Sequence, residues 1–299
     1  MGQNHVRVYN ELKGIDAVVV YDPDPRARSR CPKSVHHVSS LSDLLGVVDL
    51  VSICTPTPTH KDVACYAAEM GVPFLVEKPI ASTLDEARAL GSIQSPCSGV
   101  GHIERFNLAA STIGKFVSRP PAHISIRRHN PGSARVTDTS VVNDLMIHDI
   151  DLVRHMFFDR DPDSIVAAVA PDVARAIMTY GESVVSLSAS RVSMAKVRDI
   201  VVECEEYTVT ADLIGQDMYV HRRPEYSVFE AGEYRQEQVT EKIVVPRAEP
   251  LRIELTEFVR CVNEGSAFPV TIEQAIKNME LCERIHDSKQ CSCRDRKHR

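Results

Sequence analysis

One candidate for chemistry is a lysine placed at the end of an apolar run. The segment Glu77-Lys78-Pro79 follows Phe74-Leu75-Val76, a run typical of a short buried strand. A lysine at the carboxyl end of such a strand is held on a rigid edge with little room for solvation, and it can be directed at a substrate oxygen. Taken alone, Glu77 and Lys78 are more often a surface ion pair, so the motif needs support from other residues.

A second candidate is an acid–histidine cluster in residues 143–151, Asn-Asp-Leu-Met-Ile-His-Asp-Ile-Asp. On a helix, Asp144 and His148 are four residues apart and share a face, and Asp151 lies three residues further on. A carboxylate one turn from an imidazole fixes the tautomer and raises the basicity of the ring, as in a general-base pair. A metal site and a solvated acidic face with one capping histidine are equally compatible with this segment.

Polar residues also end two apolar runs nearer the start of the chain. Asp22 follows the run at 17–21, and the turn Thr55-Pro56-Thr57-Pro58-Thr59-His60 follows the run at 50–54. In a dinucleotide-binding fold, an acid at a strand end accepts hydrogen bonds from the ribose hydroxyls. The turn opens a helix whose positive end suits phosphate. The alternatives are an aspartate that only caps the next helix and an ordinary capped turn.

These candidates need a sheet to position them, and the first third of the sequence alternates strand and helix. The short apolar runs at 17–21, 50–54 and 74–76 are typical of strands buried on both faces of a parallel sheet. Helices are predicted at Thr59–Met70, with Thr59 as N-cap, and at Thr83–Leu90, which begins with a capping box. The pattern predicts a doubly wound α/β domain of the Rossmann type.

Period-two alternation of apolar and polar residues replaces this pattern after about residue 105. The alternating or β-rich stretches are His123–Arg128, Val173–Met178, Val184–Val192 and Val197–Ile214. Such alternation indicates strands with one buried face. No helix separates the later stretches, which favours a largely antiparallel sheet. The uncovered face of that sheet predicts a homo-oligomer, a dimer or a tetramer.

Three helices accompany these strands, and together they set the predicted domains. One helix is expected at Val141–Phe157, and two more close the chain with apolar stripes at 251–262 and 272–285. We therefore predict a dinucleotide-binding domain over 1–105 and a catalytic and oligomerising α+β domain over 106–290. The basic residues 291–299 are predicted to be a disordered tail.

Composition excludes several other classes of protein. The net charge of −6 is mild, which argues against a nucleic-acid or membrane surface as the main partner. No apolar run approaches the roughly 18 residues needed to span a bilayer. The nine cysteines are scattered without paired spacing, which favours a reducing cytoplasm over a disulfide framework. The sequence thus predicts a cytoplasmic protein without nucleic-acid or membrane partners.

The combination of motifs is more specific than any one of them. Leu75-Val-Glu-Lys-Pro-Ile-Ala81 and Asp144-x-x-x-His148 resemble the two signatures of the glucose-fructose oxidoreductase, inositol dehydrogenase and MocA (Gfo/Idh/MocA) family. The resemblance runs from Gly2 to about residue 288. The string Gly101-His-Ile-Glu-Arg-Phe-Asn107, like the run Asp144–Leu152, is similar to the UDP-N-acetylglucosamine 3-dehydrogenase branch of that family.

This resemblance implies NAD as cofactor, no catalytic metal, and a role for each matching residue. Its catalytic residues would be Lys78, Asp144 and His148. Its cofactor site would be lined by Gly2, Asp22, Thr55, Pro56, His60, Glu77 and Lys78. Its substrate would lie near Glu104, Arg105 and Asn107.

The implied reaction is hydride transfer from a sugar hydroxyl carbon, such as C3 of a UDP-N-acetylhexosamine, to NAD. His148 would take the hydroxyl proton, Lys78 would hydrogen-bond the same oxygen, and Asp144 would orient His148. The planar guanidinium of Arg105 could pair with a diphosphate. A free polyol or sugar would be the substrate in other branches of the family, and a non-catalytic cofactor sensor or scaffold is the competing function.

One departure from the family concerns the start of the chain. Gly2 corresponds to the last glycine of G-x-G-x-x-G, and the opening strand and the first two glycines have no counterpart. That strand is central in a doubly wound sheet, so its absence would leave the strands at 18–21 and 50–53 with unpaired edges. Each unpaired buried backbone group costs about 1–3 kcal/mol. We therefore expect the reading frame to extend upstream.

Overall fold

The structure is a computed structural model that describes residues 1–117, 119–131, 139–223, 227–230, 233–236 and 238–288. It divides into two compact units. The first unit is Met1–Phe106 with Ala248–Lys277, and the second is Asn107–Arg247 with the C-terminal segment that begins at Asn278. The predicted tail, 291–299, lies outside the described residues.

The helices and strands are numbered in chain order. The helices are α1 Gly2–Glu11, α2 Pro25–Arg28, α3 Leu41–Leu45, α4 His60–Glu69, α5 Leu84–Gly91, α6 Leu108–Phe116, α7 Ile147–Leu152, α8 Pro250–Glu264 and α9 Ile272–Asp287. The strands are β1 Val19–Val20, β2 His36–His37, β3 Val51–Ile53, β4 Phe74–Glu77, β5 Ser98–Gly101, β6 His123–His129, β7 Ser164–Val169, β8 Val173–Tyr180, β9 Ser183–Ser190, β10 Val197–Glu203, β11 Tyr207–Asp212, β12 Asp217–Arg222, β13 Ser227–Glu230, β14 Glu233–Gln236 and β15 Val239–Ile243.

The first unit contains the predicted parallel strands with helices between them. β1 pairs with β2, and β3, β4 and β5 form a second sheet in that order; every pairing is parallel. All four residues of β4 are buried, as a continuously apolar strand requires. The hydroxyl of Tyr9 lies 2.7 Å from the hydroxyl of Ser52, which joins α1 to β3. The prediction of a Rossmann-type domain with a parallel sheet is confirmed.

The predicted N-cap hydrogen bonds are present in α5 and absent in α4. α5 has the predicted capping box: Thr83 accepts the Glu86 N–H, and the Glu86 carboxylate accepts the Thr83 N–H. Thr59 occupies the N-cap position of α4, but its hydroxyl donates to the Pro56 carbonyl instead of accepting an amide. The cause is a 3₁₀ turn, Thr57–Thr59, which precedes α4 and sets the direction of the Thr59 side chain.

The C-terminal segment 248–277 belongs to the first unit, whereas the sequence analysis assigned it to the second domain. Aromatic packing explains the difference. Phe268 stacks on Phe106 at 5.7 Å between ring centroids and meets Phe258 edge-on at 5.6 Å. A Cβ at Gly99 in β5 would lie 2.3 Å from the Phe268 ring, so a side chain there would collide with it. Phe268 therefore fills a space in the first unit that only a glycine leaves open.

The second unit is built on an eight-stranded sheet in the order β15-β12-β11-β10-β6-β9-β8-β7. Every neighbouring pair is antiparallel except β6 and β9, which are parallel. The predicted largely antiparallel sheet is confirmed. β7 and β12 to β15 are not predicted from the sequence, because their alternation is shorter or rich in charged residues.

The sheet has one buried and one open face, as the alternation predicts. On the central strand β6, Ile124, Ile126 and Arg128 are buried, while the side chain of Arg127 between them is exposed. Within the described ranges, no helix is both long enough and apolar enough to cross a membrane. The seven cysteines in those ranges are all free thiols.

Candidate active site

Lys78 directly follows β4 in the first unit, and a buried carboxylate underlies it. Glu77 is 7% exposed, so it is not part of a surface ion pair. Its Oε1 accepts a hydrogen bond from Nε2 of His5 at 3.0 Å, and its Oε2 accepts the backbone N–H of Lys78 at 3.3 Å. Burial alone would raise the pKa of Glu77, but the His5 hydrogen bond and the nearby positive charges hold that pKa below its ordinary value. Glu77 is therefore a buried anion beside the lysine.

Gly101 leaves the space that this carboxylate occupies. β4 pairs with β5 so that Glu77 lies opposite Gly101. A Cβ at Gly101 would lie 3.3 Å from the carboxyl carbon of Glu77, which is tighter than ordinary van der Waals contact. A glycine at position 101 is therefore explained by packing against Glu77, without reference to a substrate.

His60 connects the turn after β3 with the turn after β4. The ring is 1% exposed; its Nδ1 lies 2.9 Å from the Pro79 carbonyl oxygen and its Nε2 lies 2.8 Å from the Thr55 carbonyl oxygen. Thr55 and Pro56 lie at the start of the 3₁₀ turn that leads into α4, and Pro56 is exposed. Among the residues predicted to line a cofactor site, His60 is thus a buried link between two backbone turns.

Gly2 and Asp22 lie at the start of α1 and after β1, as a dinucleotide site requires. α1 has no side-chain cap at Met1 and no acidic residue in its first turn, so its positive end is compatible with a phosphate group. A Cβ at Gly2 would lie 3.6 Å from the Cβ of Cys54, so α1 begins in close contact with the end of β3. Asp22 is half-buried, and its Oδ1 accepts the Asp24 N–H at 2.9 Å. Both groups are compatible with a dinucleotide, because the start of α1 can bind a phosphate and the Asp22 carboxylate can accept hydrogen bonds from ribose hydroxyls.

Asp144 belongs to the second unit and pairs with an arginine that the sequence analysis did not identify. Its Oδ2 lies 3.3 Å from Nε of Arg191, with the two side chains 20% and 11% exposed. Nη2 of Arg191 also donates to the Thr139 carbonyl oxygen at 2.6 Å. Arg191 follows β9, so the end of a strand fixes the beginning of the helix that carries Asp144.

That helix is not a regular α-helix. Val142–Met146 and Val153–Phe158 are π-helical, and α7 lies between them. Asp144 lies in the first π segment, whereas the predicted shared face of Asp144 and His148 assumes a regular α-helix. π segments widen the turn and occur frequently at functional sites. His148 lies in α7 and is 9% exposed.

The two carboxylates that follow His148 in the sequence hold the helix in place. Asp149, fully buried, pairs with Arg128 of β6 at 2.8 Å from Nε and 2.7 Å from Nη2. Asp151 accepts a hydrogen bond at 2.7 Å from Nδ2 of Asn278, whose Oδ1 in turn lies 3.1 Å from Nε2 of His155. Asp151 therefore anchors α7 instead of forming an exposed acidic face.

The residues predicted near the substrate have local partners as well. Glu104 is buried at 4% exposure. Nη1 of Arg105 donates to Oε1 of Gln274 at 2.7 Å. Asn107 caps α6 by accepting the Ala109 N–H and donates to the Leu213 carbonyl at 2.9 Å. Asn107 thus has a structural role that its sequence position, just before a helix, could have indicated.

No group of three or more His, Cys, Asp or Glu side chains suited to a metal ion is present in the ranges that the structure covers. His5 and Arg191 are among the partners that sequence reasoning missed. His5 stands three residues after Gly2 in α1, and Arg191 stands just after an alternating strand. Neither position has a local pattern that separates it from an ordinary surface residue.

The first part of the chain matches a known protein family. Residues 1–95 match the family model GFO_IDH_MocA, described as an oxidoreductase family with an NAD-binding Rossmann fold. The chain carries a Gfo/Idh/MocA family domain. The matched range ends before β5 and includes α1, Asp22, the turn at Thr55 and the Lys78 motif.

Curated relatives of this chain include sugar and polyol dehydrogenases. It is 29% identical to the UDP-N-acetylglucosamine 3-dehydrogenase of Acidithiobacillus ferrooxidans, over 88% of this chain and 85% of that protein. It is 27% identical to an inositol 2-dehydrogenase of Acidothermus cellulolyticus, over 89% of this chain and 82% of that protein. These relatives support an oxidoreductase with sugar dehydrogenase homologues.

Solved structures share the fold of this chain. The Acidithiobacillus ferrooxidans UDP-N-acetylglucosamine 3-dehydrogenase superposes with a TM-score of 0.80 at 24% identity, covering 96% of this chain and 93% of that one. A levoglucosan dehydrogenase in complex with NADH and levoglucosan superposes with a TM-score of 0.78 at 16% identity, covering 97% and 94%. At these identities the likeness concerns the fold.

Proposed function

We propose that this protein is an NAD-dependent dehydrogenase that oxidises a secondary hydroxyl of a sugar, most specifically C3 of a UDP-linked N-acetylhexosamine. The observation that carries the proposal is the pairing of a Gfo/Idh/MocA NAD-binding domain with Lys78 on a rigid strand end above a buried anion. The second unit adds His148 and Asp144 on a helix that is anchored at several points.

In this proposal, the imidazole of His148 takes the proton of the substrate hydroxyl. The ammonium of Lys78 hydrogen-bonds the same oxygen as the oxygen gains carbonyl character, and the carboxylate of Asp144 stabilises the charge on the imidazolium. Bound NAD would supply the acceptor for the hydride that leaves the carbon. Positioned proton transfer of this kind contributes about 10²–10⁴-fold to the rate.

The buried Glu77 has a separate part in this scheme. Its negative charge lies beside the backbone of Lys78 and keeps a compensating charge near the ammonium when solvent is excluded. Asp22 favours NAD over NADP, because its charge would repel a 2′-phosphate. Gly2 and the positive end of α1 would hold the diphosphate, and Thr55 and Pro56 would border the same site.

A nucleotide sugar is supported by the similarity to UDP-N-acetylglucosamine 3-dehydrogenase over most of both chains. Glu104 and Arg105 would lie near this substrate, with the guanidinium of Arg105 available to a diphosphate after exchange of its Gln274 contact. A free polyol is the second candidate, because inositol 2-dehydrogenases also match most of the chain. A homo-oligomeric assembly and a cytoplasmic location stay predictions.

The test is a substrate screen of the purified protein with NAD and with NADP, followed by the absorbance of the reduced cofactor. We expect turnover with a UDP-N-acetylhexosamine and NAD. Turnover of myo-inositol or glucose without turnover of any nucleotide sugar would favour the second candidate. No turnover and no NADH binding would favour a non-catalytic scaffold.

Variants connect this activity to the residues. Lys78→Ala and His148→Ala should each lower kcat by about 10²-fold or more, and NADH fluorescence should still report cofactor binding. The matched controls are Lys115→Ala and His36→Ala, which alter exposed residues of α6 and β2. Wild-type kcat in His148→Ala would refute its role as the base.

A further inference from the structure

Two buried histidines contact the turn that carries Lys78, and they come from different helices. His5 belongs to α1 and His60 begins α4. His5 contacts the side chain of the residue before the lysine, and His60 contacts the carbonyl of the residue after it. The three-residue turn Glu77–Pro79 is therefore held from both sides by imidazole rings.

The contact with His5 reaches Lys78 through Glu77. Because a carboxylate only accepts, Nε2 of His5 donates to Oε1 of Glu77. The other oxygen of the same carboxylate accepts the backbone N–H of Lys78. His5 is 3% exposed and Glu77 is 7% exposed, so both groups of this contact are buried and the carboxylate has little room to rotate.

The contact with His60 reaches Lys78 through Pro79. Both partners of the His60 ring, the Pro79 and Thr55 carbonyl oxygens, only accept hydrogen bonds. A neutral imidazole carries one N–H, so either neutral tautomer makes one of these bonds, and the doubly protonated ring makes both. With 1% exposure, the ring has no access to substrate in the way that a catalytic histidine would need.

We propose that His5 and His60 are positioning residues for Lys78, which fix the direction of its side chain by holding the backbone on both sides of it. The inference rests on the proposed role of Lys78 in catalysis. A lysine has a long, flexible stem, so the orientation of its first bond decides where the ammonium can reach. A displacement of about 1 Å at a reacting group can cost about 10²-fold in rate.

The first measurement does not need cofactor or turnover. Hydrogen exchange of the segment 74–81 in the unliganded full-length protein reports the stability of the turn. We expect faster exchange in His5→Ala and in His60→Ala, and unchanged exchange in His36→Ala, which alters an exposed histidine of the same unit. Unchanged exchange in both test variants would overturn the proposal whatever their activity.

The second measurement is a double-mutant cycle of kcat with Lys78→Ala. We expect His60→Ala and His5→Ala each to lower kcat by about 10- to 100-fold in the wild-type background and to have little further effect when Lys78 is already alanine. An equal loss in both backgrounds would mean a general structural role, and no loss in the wild-type background would also overturn the proposal. Wild-type kcat in Lys78→Ala itself would instead refute the role of Lys78 in the proposed function.

Conservative variants keep the cycle interpretable if an alanine variant fails to fold. The amide nitrogen of Asn replaces Nδ1 and that of Gln replaces Nε2, so His60→Asn keeps the donor to Pro79 and His60→Gln keeps the donor to Thr55. We expect His60→Asn to retain more kcat than His60→Gln, and His5→Gln to retain more than His5→Asn. The reverse order in both pairs would contradict the assigned contacts.

Discussion

Replacing Asp149 by asparagine tests the buried ion pair beneath the helix that carries His148. The side chains of Arg128 and Asp149 are 2% and 0% exposed, and they meet at 2.7 Å. Asp149→Asn leaves the guanidinium buried without its counter-charge. Breaking one partner of such a pair costs about 3–5 kcal/mol in the free energy of unfolding. That cost corresponds to about a 10²- to 10⁴-fold lower ratio of folded to unfolded protein.

The strand β6 supplies a matched control. Arg127 is the sequence neighbour of Arg128 but points to the opposite face, where it pairs with Asp199. Its side chain is 56% exposed, so solvent screens the pair and Asp199→Asn should cost only about 0.2–1 kcal/mol. The double variant Arg128→Met with Asp149→Leu should recover much of the loss, because apolar side chains of similar volume need no compensating charge.

Urea unfolding followed by far-UV circular dichroism measures these differences, since the chain has no tryptophan for fluorescence. The comparison requires equal slopes of unfolding free energy against urea for each variant. If Asp149→Asn destabilises the protein no more than Asp199→Asn does, the inference from burial is wrong. If the double variant is as unstable as Asp149→Asn, the charge itself is not the cause.

Three further outcomes follow from the structure. Gly99→Ala should lower the free energy of unfolding by about 1–3 kcal/mol, measured by urea unfolding, because the new methyl group clashes with the Phe268 ring. Burial and nearby Arg127 lower the pKa of His129 from its ordinary value of 6.5. The imidazole therefore binds a proton more readily in the unfolded chain than in the folded one. The free energy of unfolding should decline as pH falls below 6.5. His129→Gln should therefore flatten the decline between roughly pH 7.5 and 5.5 in the same assay, and an unchanged slope would contradict this assignment. Steady-state kinetics should give a higher kcat/KM with NAD than with NADP, and Asp22→Ser should narrow that difference; a preference for NADP in the unmodified protein would refute the argument from charge.

The sequence pattern predicts those helices and strands that are determined by residues close together in the chain. The capping box at Thr83 and the apolar strand Phe74–Glu77 are set by neighbouring residues, and both are present. The alternation in β6 and β8 predicted one buried face because a strand alternates its side chains whatever its partners are. The fold class followed from these elements without any long-range information.

Contacts between distant residues could not be predicted in this way. The parallel pairing of β6 with β9 joins positions about 60 residues apart, and no local signal distinguishes it from the antiparallel pairing of its neighbours. The same holds for His5 with Glu77 and for Arg191 with Asp144, where each partner alone is an ordinary polar residue. The π segments on both sides of α7 likewise fall in a stretch that the sequence predicts as one continuous helix, Val141–Phe157.

The packing of Phe268 against Gly99 also affects when the first unit can fold during synthesis. The two residues are about 170 positions apart, so a ribosome working at about 5–20 residues per second needs roughly 10–30 s to deliver the ring after the glycine has emerged. During that interval the nascent residues 1–106 lack the aromatic layer of Phe258 and Phe268. The second unit has its central strands β6 to β11 synthesised in the same interval. The order of synthesis therefore makes all strands of the second unit's sheet available before Phe268 reaches the first unit.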